Sequence, residues 1–135
     1  MTIHKQKSDK CEWTDKLHHE SIVQIQSLKL NPNPAVRGKI VKLHLKAKTN
    51  EPIWKGKVYV KTKFLGFVVD RDKFTLQSIL KKCGYNSEIP KGDFKLDIPH
   101  YVPNVPFKGS ATVVIKVVNN KKVTLTKFEL KAKFV

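Results

Sequence analysis

Residues 39–48 carry the pattern that most restricts the fold: Val41, Leu43, Leu45 and Ala47 alternate with Lys42, His44, Lys46 and Lys48. A period of two puts the apolar set on one face of an extended strand, whereas a helix would scatter it around the axis. The segment therefore reads as a β-strand in a sheet with one wet face and one buried face. A slip of one residue in its pairing would turn the whole apolar set to water.

The same period recurs along the chain. Residues 22–30 form a first apolar run, stopped at Asn31-Pro32-Asn33-Pro34, where two prolines remove backbone donors. Asn50-Glu51-Pro52 reads as a turn, and Trp54-Lys55-Gly56 as further punctuation. In residues 57–64, Val58, Val60 and Phe64 share one side, while Tyr59, Lys61 and Lys63 take the other. Gly66 interrupts the apolar stretch 64–69 and suggests a bulge or bend; the aromatics there either turn toward a pocket mouth or belong to a simple core. Leu76, Ile79 and Leu80 fit both a short helical turn and an extended loop, so residues 72–82 stay unassigned. Phe94, Leu96 and Ile98 mark another strand, which Pro99 is expected to end. Residues 111–118 and 123–134 flank a hairpin turn at 119–122. The apolar parity slips between Val123 and Phe128, predicting a bulge near Lys127.

About seven strands with no confident long helix predict an all-β fold, a two-sheet β-sandwich or barrel. The 135 residues suit one domain over 21–135, preceded by a basic N-terminal arm and lead-in at 1–20. No stretch reaches the roughly 18 to 20 apolar residues of a membrane-spanning helix. Met1 to Lys10 has no apolar core of the secretory-signal type.

Twenty-seven basic against eleven acidic residues leave a net charge of +16, which attracts phosphate-rich partners: nucleic acid, anionic membrane surfaces or lipid headgroups. Arg37 and Arg71 are the only arginines, and base-reading sites favour arginine. The aromatics mostly share the apolar side, and the exceptions Trp13, Trp54 and Tyr59 fit no recognition motif, which disfavours nucleic acid. None of the common catalytic or phosphate-binding motifs occurs, and Asp70 and Asp72, flanked by Arg71 and Lys73, read as a solvated loop. Cys11, Cys83 and the five histidines show no metal-ligand spacing. Neither enzymatic activity, a cofactor nor a metal is expected.

Pro32-Asn33-Pro34-Ala35-Val36-Arg37-Gly38-Lys39 resembles the PxPVxxGK segment of the ML-domain lipid-recognition family, especially its plant and fungal sterol- and phosphatidylglycerol/phosphatidylinositol-binding branch. Trp54-Lys55-Gly56-Lys57-Val58 and Phe64-Leu65-Gly66-Phe67 follow at suitable distances. Cys83, Gly92-Asp93-Phe94, Ile98-Pro99 and Val105-Pro106 continue the likeness from about Cys11 to the C-terminus. The resemblance implies an immunoglobulin-like sandwich whose splayed sheets leave an apolar cavity, and binding of one sterol, fatty acid or phospholipid without catalysis. It also implies two disulfides, but the matching positions are Cys11 with Lys127 and Cys83 with Gln77, so neither bridge can form. Relatives are secreted or endolysosomal; loss of the bridges and of a visible signal leaves a cytosolic setting open.

On this reading the cavity wall is Val41, Leu43, Leu45, Val58, Val60, Phe64, Leu96, Ile98, Val113, Ile115, Phe128 and Leu130, with Phe67, Tyr101, Val102 and Phe107 at the mouth. Lys63, Arg71 and Lys108 are the candidates for holding an anionic headgroup. Alternation alone fits a filled core equally well. The expected partners are lipid and an anionic membrane surface, with the chain acting as a monomer. The alternatives are a basic sandwich binding nucleic acid or another polyanion, and a lipid-free interaction module.

Overall fold

The computed structural model describes residues 12–17, 21–102, 104 and 109–135. Alternating segments pair into eight antiparallel strands, β1 (Trp13–Asp15), β2 (Val23–Asn31), β3 (Ile40–Thr49), β4 (Gly56–Phe64), β5 (Phe67–Thr75), β6 (Gly92–Tyr101), β7 (Gly109–Asn119) and β8 (Thr124–Phe134). One short helix, α1 (Leu76–Lys82), lies between β5 and β6. The strands make a five-stranded sheet in the order β1-β8-β7-β4-β5 and a three-stranded sheet in the order β2-β3-β6. The expected all-β sandwich is the observed architecture.

Register puts the buried faces of the two sheets against each other. In the smaller sheet Leu28 pairs with Leu45 and Leu45 with Leu96, and all three are buried. In the larger sheet Phe128, Ile115 and Val60 form one row across β8, β7 and β4, while neighbouring Lys127, Lys116 and Tyr59 point the other way. Most strands thereby turn one largely apolar face to the interior and the other face to water.

Several local expectations change. Gly66 marks the turn of a tight hairpin: Leu65 and Gly66 both take positive φ, 53° and 82°, and Phe64 pairs directly with Phe67. Two such residues match the right-handed twist of the flanking strands. The bulge lies just beyond, at Val69, because Thr62 pairs with Asp70 and Lys63 with Val68. In β8 the bulge falls at Leu125, upstream of Lys127, since Val117 pairs with Thr126 and Val118 with Thr124.

Pro99 does not end β6, which runs on to Tyr101. As an edge strand, β6 can place a residue without an N–H where no ladder bond is required. Residues 72–82 divide between a strand and a helix. The backbone N–H of Ser78 donates to Thr75 Oγ1 at 3.2 Å, capping α1, while Lys81 and Lys82 occupy its last turn. Leu76 and Leu80 anchor the helix in the core. β1 falls within the stretch expected to be an arm, yet it pairs with β8 and extends the larger sheet. At 119–122, Asn119 Oδ1 accepts from the N–H groups of Lys121 and Val123, closing the expected hairpin.

Candidate functional site

The sheets do not close fully onto each other: a cavity of about 470 Å³ lies between them. Val41, Leu43 and Leu45 of β3 and Leu96 and Ile98 of β6 line one side. Val58 and Val60 of β4, Val113 and Ile115 of β7, and Phe128 and Leu130 of β8 line the other. These are the inward positions read from alternation.

One end is closed by elements that the sequence left unassigned. Phe74 of β5 and Leu76, Ile79 and Leu80 of α1 reach the cavity there. Ile53 joins them, held by a reciprocal backbone pair in which Ile53 N donates to Ile89 O at 3.0 Å and Ile89 N to Ile53 O at 2.9 Å. Val23 and Ile25 of β2 and Phe94 of β6 are further lining residues. Phe94 shares the parity of Leu96 and Ile98, whereas the reach of Val23 and Ile25 to the cavity depends on how the sheets pack.

Polar lining groups gather where the edge strands β5 and β6 approach one another. Asp70 and Asp72 from β5 and His100 and Tyr101 from β6 belong to the lining, as does Lys82 of α1, and Asp72, Lys82 and Tyr101 are exposed to solvent. The cavity therefore opens between the edges of the two sheets. Asp70 and Asp72 are in a strand, contrary to the solvated loop expected, because Phe64 and Phe67 lock the preceding turn and the Val69 bulge sets their parity inward. Partial burial raises the proton affinity of Asp70, and the Asp72 carboxylate raises it further; nearby His100 and the Arg71 backbone N–H lower it.

Thr126 supplies an internal polar group. It is buried and lines the cavity, yet its Oγ1 has no hydrogen-bond partner among the described residues. A buried hydroxyl left in this state is destabilising. Thr126 shares the parity of Phe128 and Leu130, so alternation alone turns it inward; only the packing around it leaves its hydroxyl without a partner among the described residues.

Other expected site residues lie elsewhere. Tyr101 and Val102 line the cavity, but Phe67 is 74% exposed at the β4–β5 hairpin tip and is not part of the lining. Phe64 packs against the core without lining the cavity. Lys63 pairs with Val68, and Arg71 with Lys61, on the outer face of the larger sheet, because their strands direct alternate residues away from the interior. Neither cation lines the cavity. Phe107 and Lys108 lie outside the described residues, as does Cys11. Cys83 is a free thiol whose Sγ donates to Asp97 O at 3.3 Å.

The family model of the ML domain matches residues 6–134. The chain belongs to the ML-domain family. Its structure is similar to that of a Niemann-Pick type C2 protein from the Japanese carpenter ant, with a TM-score of 0.64, 11% identity, and coverage of 96% of this chain and 100% of the other. It also resembles chicken MD-1, solved in complex with lipid IVa, with a TM-score of 0.65, 12% identity, and coverage of 98% and 95% of the two chains. The C-terminal domain of wzt gives a TM-score of 0.52 at 9% identity, covering 96% of this chain and 82% of that one. At these identities the structural likenesses establish the fold of this ML domain. No curated protein sequence matches the chain.

Proposed function

We propose that this ML domain binds and transfers one lipid, whose apolar body lies between the two sheets and whose polar end reaches the gap between β5 and β6. The observation carrying this reading is the apolar cavity of about 470 Å³, lined from both sheets. Its volume falls within the roughly 300–1,000 Å³ typical of small-molecule pockets. Each methylene taken from water into such a wall contributes about 0.8 kcal/mol, so the apolar body supplies most of the affinity.

Asp70 and Asp72, which outnumber the one lining lysine, Lys82, favour an uncharged, hydroxyl-bearing lipid of sterol type over a phosphate headgroup. A hydroxyl can donate to a carboxylate, whereas a phosphate at the same place would meet like charge. The headgroup role expected of Lys63 and Arg71 gives way, since both point outward. The quoted sequence segments favour the plant and fungal branch. Binding and release break no covalent bond, and one chain suffices to form the pocket.

Native mass spectrometry of the protein mixed with cholesterol-containing vesicles tests the reading. The expected result is a species carrying one sterol per chain, with a fluorescent sterol displaced by cholesterol more readily than by phosphatidylglycerol. No bound lipid of either class would sink the lipid-binding reading. A preference for phosphatidylglycerol would overturn the headgroup assignment alone.

A further inference from the structure

The large positive charge is unevenly distributed between the two outer faces. On the smaller sheet, the outward cations are partly offset by acids: His44 Nδ1 lies 2.6 Å from Asp97 Oδ1 and Lys48 pairs in register with Asp93, while Lys46 pairs with Lys95. On the larger sheet, one outward row across β8, β7, β4 and β5 reads Lys127, Lys116, Tyr59 and Lys73. The next row carries Lys61 beside Arg71, and the row after it Lys63 beside Val68. Among the described residues, the acids of this face are Glu12 and Glu129, along its β1–β8 side, where Glu129 already pairs with Lys16 at 3.7 Å. Strand spacing of about 4.8 Å and a two-residue repeat of about 6.8 Å set these cations at regular intervals over the face.

The face ends in an apolar tip. At the β4–β5 hairpin Leu65 is 80% exposed and Phe67 74%, with Val68 beside them at 39%. Water-exposed leucine and phenylalanine at a turn gain nothing from the fold itself. Asp70 of the cavity mouth follows Phe67 and Val68 on the same strand.

We infer that the outer face of the five-stranded sheet, with Leu65 and Phe67 at its tip, docks onto an anionic lipid bilayer. Cations hold the negatively charged surface while the apolar tip enters the boundary between headgroups and acyl chains. Docking brings the β5–β6 opening close to the bilayer, giving a lipid a short path between membrane and cavity. The apolar tip selects a bilayer over nucleic acid: a duplex would match the lysines but offer no apolar phase for Leu65 and Phe67. The docking surface lies outside the cavity and does not depend on what the cavity holds.

The test is co-sedimentation of the full chain with vesicles of phosphatidylcholine alone or of phosphatidylcholine mixed with phosphatidylglycerol. Binding is expected only to the mixed vesicles, weakening as salt rises. The variant Lys73→Glu with Lys116→Glu should lose about tenfold or more in affinity. Lys46→Glu with Lys95→Glu, on the smaller sheet, should bind almost as wild type. Leu65→Ser with Phe67→Ser should weaken binding while leaving most of its salt dependence. Equal losses for the two charge-reversal pairs, or no preference for mixed vesicles, would overturn the assignment. A duplex oligonucleotide bound more tightly than the vesicles, through the same lysines, would replace the bilayer with nucleic acid. Circular dichroism verifies that each variant folds. Lipid retained in the cavity of the Lys73/Lys116 variant separates failure of docking from failure of lipid binding.

Discussion

Asp70 of β5 and His100 of β6 stand within electrostatic reach of each other across the gap between the sheet edges, so the cavity mouth joins an acid from one sheet to an imidazole from the other. The imidazole lowers the proton affinity of the carboxyl, while burial and Asp72 raise it by more. Ionised Asp70 is consequently harder to keep in the folded state than in the unfolded chain.

The sign of its pH dependence follows. A carboxyl with raised pKa takes its proton more readily when folded, so stability falls as pH climbs from the unfolded value of about 3.9 through the folded one. It stays lower above that window. Asp70→Asn is expected to be modestly more stable than wild type at neutral pH, with the difference vanishing in acid. Thermal melts across pH check this, and a difference that persists unchanged in acid would point away from ionisation.

Thr126→Val removes the hydroxyl that has no partner among the described residues while retaining its shape. The ligand-free protein should gain about 1 kcal/mol, measured by urea unfolding. A loss of stability would mean that the hydroxyl is satisfied in solution.

Val60 lines the cavity near its middle, in a row with Ile115 and Phe128. Val60→Trp is expected to fill the cavity and abolish lipid uptake while the fold persists, because the added volume enters empty space instead of a packed core. Circular dichroism reports the fold, and native mass spectrometry reports occupancy.

Leu80 is fully buried where α1 closes the cavity. Leu80→Ala should cost about 2–5 kcal/mol. Val60→Ala should cost less, at about 1 kcal/mol, since a side chain already facing a void forfeits fewer contacts. Urea unfolding of the two variants compares a fully buried lining residue with a half-buried one.

Cys83 has its thiol pKa raised by burial first and by the charge of Asp97 as well, against a lowering backbone hydrogen bond to the Asp97 carbonyl. Less thiolate is present at neutral pH, so alkylation by iodoacetamide should be slow in the native protein and faster in urea. Rapid native modification would contradict the burial of this thiol.

Alternation alone determined much of this molecule. Val41, Leu43 and Leu45, or Val58 and Val60, announce their faces because a strand exposes successive side chains to opposite sides whatever it packs against. The PxPVxxGK-like segment and those following it pointed to the ML-domain family before any strand was paired. Tertiary structure decided what a period of two cannot encode. Asp70 and Asp72 looked like loop residues because Arg71 and Lys73 flank them; only the Phe64–Phe67 turn and the Val69 bulge put them at the cavity mouth. Leu125 is buried beside inward-facing Thr126 through a bulge that lies upstream of the expected position near Lys127. Pro99 stayed in its strand because β6 lies at an edge, a property of neighbours rather than of sequence. The cavity belongs to the same class: a filled core and two splayed sheets require the same alternating residues, and the separation of the sheets tells them apart.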